Sequence, residues 1–227
     1  MPQQDFRARL QPKSVKAAQD ILGKRELGNQ NILFPLYSTN GVLFPYTPSI
    51  STGSVVDYDP SAFIHSNYGY NAYIRSYPKP ISITASFTAQ SNDEALYLLA
   101  VLHFFRSVTK SYFGINPYNK AGTPPPVLLF NYLGQYQFNN VPVLIKNFEY
   151  TYDGNIDYVP VYTDAPMPTL ANIGVAVGSS CTGGYTYVPT HLTVSLELDT
   201  QYTPIDLRNN FNLDDFRSGK LIGKGYI

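Results

Sequence analysis

Between Lys79 and Val161 the chain reads as a strand, one long helix and two more strands, an order that a helix laid on an antiparallel sheet satisfies. The strand Ile81-Ser82-Ile83-Thr84-Ala85-Ser86-Phe87-Thr88 alternates without a fault. Ile81, Ile83, Ala85 and Phe87 fall on one face, and Ser82, Thr84, Ser86 and Thr88 on the other. Ser91-Asn92-Asp93-Glu94 then forms a capping box, with its acids at the positive end of the helix dipole. The apolar stripe Ala95, Leu98, Leu99, Leu102, Phe105 and Tyr112 predicts a helix to about Tyr112, stopped by Gly114. Leu98, Leu99, Leu102 and Phe105 are its expected core. After Thr123-Pro124-Pro125-Pro126, Val127–Leu133 and Val141–Tyr152 return to strand composition.

A second clean alternation lies near the end of the chain. In His191–Tyr202, Leu192, Val194, Leu196 and Leu198 face one way, and Thr193, Ser195, Glu197 and Asp199 the other. Shorter signals fill in the rest. Asn40-Gly41, between Leu36-Tyr37 and Val42-Leu43-Phe44, and Asp153-Gly154, before an Ile156–Tyr162 strand, both predict hairpins. Asn139-Asn140 is expected to turn the chain between Leu133 and Val141. Ser49 to Asn71 is polar and turn-rich, with Val55-Val56 as a short strand, and Ala72–Tyr77 leads into the strand at Lys79–Thr88. The expected class is therefore α+β, mostly antiparallel β, with one long helix packed on the sheet.

Residues 1–30 differ from the body: Arg7, Arg9, Lys13, Lys16, Lys24 and Arg25 stand against Asp5, Asp20 and Glu26, with few large apolar groups. Val15–Leu22 reads as a short helix. The segment is expected to be either an arm docking on a neighbouring subunit or a frayed tail. Residues 31–227 form the predicted domain. Within it, 164–189 is a Pro- and Gly-rich loop or hairpin insertion, too long for a passive connection and suited to ordering against a partner.

Sequence chemistry is sparse. Sixteen basic and sixteen acidic residues cancel, so no global field points to nucleic acid. Charged residues make up 14% of the chain, against roughly 25% in an average domain. Low charge density at zero net charge gives little protection from self-association. Twenty Tyr and thirteen Phe suit both interfaces and β-strands. The single Cys181 excludes an internal disulfide framework, and no apolar run of about 20 residues is present to span a membrane. Met1–Leu10 lacks the apolar core of a signal peptide, so cytosolic synthesis is the expectation.

His65, His103 and His191 have no metal-ligand spacing, and Asp57-Tyr58-Asp59 lacks the rest of a calcium loop and reads as turn chemistry. Gly219-Lys220 and Gly223-Lys224 lack the spacing and the following Ser or Thr of a phosphate loop. Cys181 has no neighbouring base, and Glu94 and Glu197 lie on unrelated elements. The reading is of a non-enzyme without cofactor or metal. Tyr68-Gly69-Tyr70 and Tyr150-Thr151-Tyr152 suit sugar stacking and subunit contacts alike.

One resemblance adds to this. The order Pro80-Ile81-Ser82-Ile83-Thr84-Ala85-Ser86-Phe87, the acid-capped helix from Glu94-Ala95 to Phe113-Gly114, Pro124-Pro125-Pro126-Val127-Leu128-Leu129-Phe130, and Val141-Pro142-Val143-Leu144-Ile145-Lys146-Asn147-Phe148 resembles one family. So does the ending, Phe216-Arg217-Ser218-Gly219-Lys220 to Gly225-Tyr226-Ile227. The family is that of the tail-tube-like baseplate proteins of contractile-tailed bacteriophages, the tail tube initiator and tube-cap subunits. The likeness spans roughly residues 40–227 and uses no catalytic motif.

That resemblance implies a tail-tube-like β-barrel or sandwich whose strands join an intersubunit barrel in a homohexameric ring. The ring would sit between the central hub and the tail tube, or a second tube-like ring, and start tube assembly. DNA would pass through its lumen without sequence-specific binding, and no membrane anchor is implied. The protein would be made in the host cytoplasm and reside in the virion. Ser82, Thr84, Ser86, Thr88, Thr193, Ser195, Glu197 and Asp199 become lumen-facing candidates, although an ordinary solvent face reads the same way. The 164–189 insertion and the N-terminal arm become the expected contacts to ring or hub. Two alternatives stand beside this: the major tail tube protein, and a carbohydrate-binding β module of a tail tip.

Overall fold

The computed structural model describes residues 6–23, 31–113, 121–163 and 184–227. In chain order these form β1 (Arg9–Pro12), α1 (Val15–Leu22), a 3-10 turn (Phe34–Tyr37), β2 (Val42–Leu43), β3 (Ser49–Ser51), β4 (Ser54–Ser61) and β5 (Tyr70–Pro78). They continue with β6 (Ile81–Thr88), α2 (Asn92–Val108), β7 (Leu128–Tyr132), β8 (Phe138–Thr151) and β9 (Tyr158–Thr163). β10 (Gly184–Pro189), β11 (His191–Thr200), α3 (Pro204–Asn210), α4 (Leu213–Arg217) and a last 3-10 turn (Ile222–Lys224) follow. The class is α+β with antiparallel pairing throughout: a seven-stranded sheet in the order β2-β1-β7-β8-β11-β6-β3, and two ribbons, β4-β5 and β9-β10. The large sheet is open, with β2 and β3 as its edges, so no closed barrel forms among the described residues.

The two alternating strands behave as their pattern predicts, and they are neighbours. β6 and β11 pair from His191 opposite Thr88 to Leu198 opposite Ile81, which sets Ile83 beside Leu196 and Ala85 beside Val194. These apolar side chains are buried under α2. Each large one contributes roughly 1.5–3 kcal/mol from burial.

The cap of α2 forms as read, with one difference. Ser91 Oγ accepts from Glu94 N–H at 3.3 Å, whereas the Glu94 carboxylate accepts from Gln90 N–H at 2.8 Å, one residue before the cap. The helix ends at Val108, a turn earlier than expected, and Tyr112 lies beyond it. Leu98, Leu102 and Phe105 are fully in the core, and Leu99 is half-buried at the edge of the stripe. Ala100, Val101 and Phe104 are also buried. The reason is that α2 is itself flanked by α1, the 3-10 turn and the β9-β10 ribbon, so the helix buries more than its sheet-facing stripe. Tyr97 on α2 serves the edge strand β2: its hydroxyl accepts from Leu43 N–H at 2.8 Å and donates to Leu43 C=O at 3.0 Å.

Four local expectations shift. Asn40-Gly41 does turn the chain into β2, but the preceding residues form a 3-10 turn with Pro35 at its start, not a strand. Gly41 is required there: a Cβ would lie 2.3 Å from Leu10 O. The turn between β7 and β8 falls at Leu133-Gly134, both with positive φ, and Asn140 instead occupies a bulge where Asn131 Oδ1 accepts its N–H at 2.7 Å. Asp153-Gly154 does not close a hairpin, because β8 pairs with β7 and β11 while β9 pairs with β10. Ser49 to Asn71, read as a turn-rich stretch with one short strand, holds β3 and the eight-residue β4.

The described part of the 1–30 segment is built into the domain. β1 sits between β2 and β7, with Ala8 and Leu10 buried, and α1 forms as expected with Ser14 as its N-cap. Gly114 and Cys181 lie outside the described residues, as does the 164–183 part of the insertion; 184–189 is strand β10.

Candidate functional site

The expected polar candidates are brought together on one surface. Antiparallel register sets Thr193 opposite Ser86, Ser195 opposite Thr84 and Glu197 opposite Ser82, all on the side of the sheet away from α2. Ser82, Thr84 and Ser86 are exposed; Thr88, Thr193, Ser195, Glu197 and Asp199 are half-buried. Thr88 Oγ1 shares a 2.8 Å hydrogen bond with Tyr46 OH, and Glu197 Oε1 accepts from Lys146 Nζ at 3.2 Å.

The face is wider than those eight residues. β3 adds Ser49 and Ser51 opposite Thr84 and Ser82, and β8 adds Asn147, Glu149 and Thr151 opposite Glu197, Ser195 and Thr193. Sequence reading missed the β8 members because alternation there changes phase. Val141 and Val143 point to the core, then Lys146 bulges out of register between Ile145 and Asn147, and Phe148 and Tyr150 take over the core side. The signal that would have found it is two apolar alternations of opposite parity within one strand. On β3, β6, β8 and β11, the carboxylates Glu149, Glu197 and Asp199 outnumber the ammonium of Lys146, so the face is polar and mildly acidic.

At the β7-β8 end the same side of the sheet is covered by the C-terminal segment. Tyr202 and Tyr226 stack with centroids 5.0 Å apart, Tyr202 OH donates to Gly225 C=O at 2.8 Å, and Tyr226 OH donates to Asp206 C=O at 3.2 Å. Burial pushes the Tyr202 hydroxyl up to about 12, against the opposing pull of a backbone hydrogen bond. Gly225, in the left-handed region, lets the chain pass close to β8, where a Cβ would meet Asn140 O at 2.4 Å. Leu207, Phe211, Leu213 and Phe216, seen in the sequence only as apolar residues among charges, belong to or border α3 and α4. Gly219 ends the turn after α4, and Lys220 pairs with Asp215 at 3.2 Å.

Among the described residues none covers the β4-β5 ribbon on either face. It continues the β3-β6 pairing outward, and Val56, Tyr58 and Tyr73 remain 43%, 55% and 62% exposed. Asp57-Tyr58-Asp59 is strand rather than turn, with Asp57 held by Arg75 Nε at 2.8 Å. Tyr68 and Tyr70 are exposed at its tip, whereas Tyr150 and Tyr152 pack edge-on and Arg106 bonds Tyr150 OH at 2.7 Å.

The groups considered for chemistry stay apart. His65 lies in the β4-β5 connection, His103 on α2 with its pKa lowered by burial and by Arg106, and His191 on β11 at 3.1 Å from Asp153. Glu94 caps α2, and Glu197 pairs with Lys146. Among the described residues no three His, Cys, Asp or Glu side chains form a metal cluster. Two cavities, of about 210 Å³ beside Arg7, Arg9 and Asn131 and about 320 Å³ beside Tyr202, Asp206 and Lys224, contain none of these histidines. Among the described residues no helix is long and apolar enough to cross a membrane.

No protein-family model matches the chain, and no curated protein matches it.

Proposed function

We propose that this protein is a structural subunit of a contractile bacteriophage tail, forming a homohexameric ring at the junction of baseplate and tube that initiates tube assembly. The observation that carries the reading is the continuous polar face across β3, β6, β11 and β8, lying on an open sheet whose edges are not joined to each other. An open sheet with one wet face gains from edge closure between copies, since closure pairs the edge strands. A mildly acidic lining repels phosphate, so it suits a lumen through which DNA slides without being held. The central hub and the tube protein, or a second tube-like ring, are the neighbours in this reading, and the virion tail is its location. Work of this kind is done by shape and edge complementarity, with no catalytic residue assigned.

The major tail tube protein is the nearest alternative. A carbohydrate-binding β module is favoured by one observation, the exposed Tyr68 and Tyr70 at the ribbon tip. Negative-stain electron microscopy of the purified protein, alone and with its virion's tail tube protein, separates the three. Rings alone and tubes seeded in the mixture support the initiator. Long tubes formed alone support the major tube protein. A monomer that seeds nothing, with glycan binding lost in Tyr68→Ala or Tyr70→Ala, supports the sugar module.

A further inference from the structure

The cavity of about 210 Å³ lies where β1, β7 and the start of β8 meet. Ala8 and Leu10 point to the core, so Arg9 and Gln11 fall on the opposite side of the sheet, and register sets Arg9 directly opposite Asn131 on β7. Asn139 and Asn140 of β8 add a second wall. Phe6 closes a third: its ring lies 3.0 Å from where a Cβ on Gly134 would stand, and its C=O accepts from Leu133 N–H at 3.2 Å.

A relay of amides fixes the polarity of this cavity. The backbone N–H of Asn140, which can only donate, bonds Asn131 Oδ1 at 2.7 Å. Asn131 is left with its Nδ2, which makes a long bond to Gln11 Oε1 at 3.5 Å. Gln11 then has its side-chain oxygen engaged and its Nε2 protons left to give. Asn139 is oriented likewise, its Oδ1 accepting from Asn140 Nδ2 at 3.1 Å. The acceptors of the cluster are turned on one another, and what remains is N–H. The guanidinium groups of Arg7 and Arg9 stand on the same cavity, and among the described residues no carboxylate lines it. Each carries five N–H donors, so the contacts that either already makes do not exhaust it.

We infer that this cavity binds a phosphate group. A carboxylate offers two oxygens in one plane, and a single Arg fork satisfies it. Here the donors come from β1, from the segment before it and from β8. A tetrahedral oxyanion, with at least three terminal oxygens, meets donors from several directions at once. The site stands whether or not the chain forms a ring.

Isothermal titration calorimetry of the full chain at constant ionic strength tests it, with inorganic phosphate, adenosine monophosphate, acetate and a short DNA duplex as ligands. Saturable binding of inorganic phosphate, well above that of acetate, is expected. Arg9→Gln removes one fork and should weaken it roughly tenfold or more, as the loss of a hydrogen bond to a charged group does. Asn131→Asp keeps an acceptor for Asn140 N–H, takes the donor away from Gln11 and adds a negative charge, and should abolish binding. Arg75→Gln, which removes the same charge from the β4-β5 ribbon, should leave binding unchanged. Circular dichroism checks that each variant is folded. Arg9 is half-buried and outside the core, so Arg9→Gln decides should Asn131→Asp unfold. Equal affinities for the two phosphates assign the site to the phosphate group alone, and tighter adenosine monophosphate assigns it to a nucleotide. No saturable phosphate binding, acetate bound equally well, indifference to Arg9→Gln, or binding of the duplex alone overturns the proposal.

Discussion

β6 and the β4-β5 ribbon belong to one excursion of the chain, Ser49 to Thr88, yet they meet opposite fates. In β6 every second side chain is buried under α2, whereas the ribbon that directly precedes it in the chain buries none of its aromatic groups. Alternation fixes which side chains share a face. Whether that face is covered depends on what lies above it, and α2 lies above only the first of the two.

The largest test of this contrast sets Phe87→Ala against Tyr58→Ala. Phe87 packs against Phe44 with ring centroids 5.7 Å apart inside the core, so its loss should cost roughly 3–5 kcal/mol in urea unfolding. Tyr58→Ala should cost under about 0.5 kcal/mol in the free protein, as surface changes do. Equal costs would break the contrast. Gly225→Ala comes next, because its positive φ and the approach to Asn140 leave no room for a methyl group. A loss of roughly 1–3 kcal/mol is expected, and an unchanged midpoint would mean that the C-terminal cover over β8 is not firmly held. Ser91→Ala removes the cap of the helix that does the covering and should cost about 1 kcal/mol by thermal or urea melts.

A pH titration sharpens the comparison within the sheet's other cover. With the Tyr202 hydroxyl raised to about 12, the folded state keeps a proton that the unfolded state loses above pH about 10. Stability should then fall as pH rises from about 10 toward 12, and fall less steeply in Tyr202→Phe. Identical slopes would remove burial as the cause. The smallest effect is expected on the bare ribbon: Arg75→Gln breaks the exposed pair with Asp57 and should leave the melting midpoint of the free protein unchanged.

Much of the central frame was legible because its signals are local. The Ser91 cap, the helix stripe from Ala95 to Phe105 and the alternations of β6 and β11 need only neighbouring residues to be read, and these are in place, whereas Tyr112 falls beyond the helix. The polar candidates on β6 and β11 were legible for the same reason. Their company on β8 was not, since the bulge at Lys146 makes the alternation change parity partway along the strand. The ribbon was missed because Asp57, Asp59, Pro60 and the bulged Ile74 interrupt any apolar pattern, and cross-strand pairing holds it together. The tail's short helices carry too few residues for a periodic signal.

By itself, then, the sequence determined the α+β class, the one long helix, and the two strands with a polar and an apolar side. Tertiary structure alone decided that β11 lies beside β6, joining Ile81 to Leu198 across most of the domain, and that β1 enters the sheet between β2 and β7. It also decided that Asp153-Gly154 turns the chain without closing a hairpin. Pairing is set by the sum of many distant contacts, and a one-residue slip in any of them turns a buried side chain outward. Local pattern names the faces, and only the assembled sheet selects their neighbours.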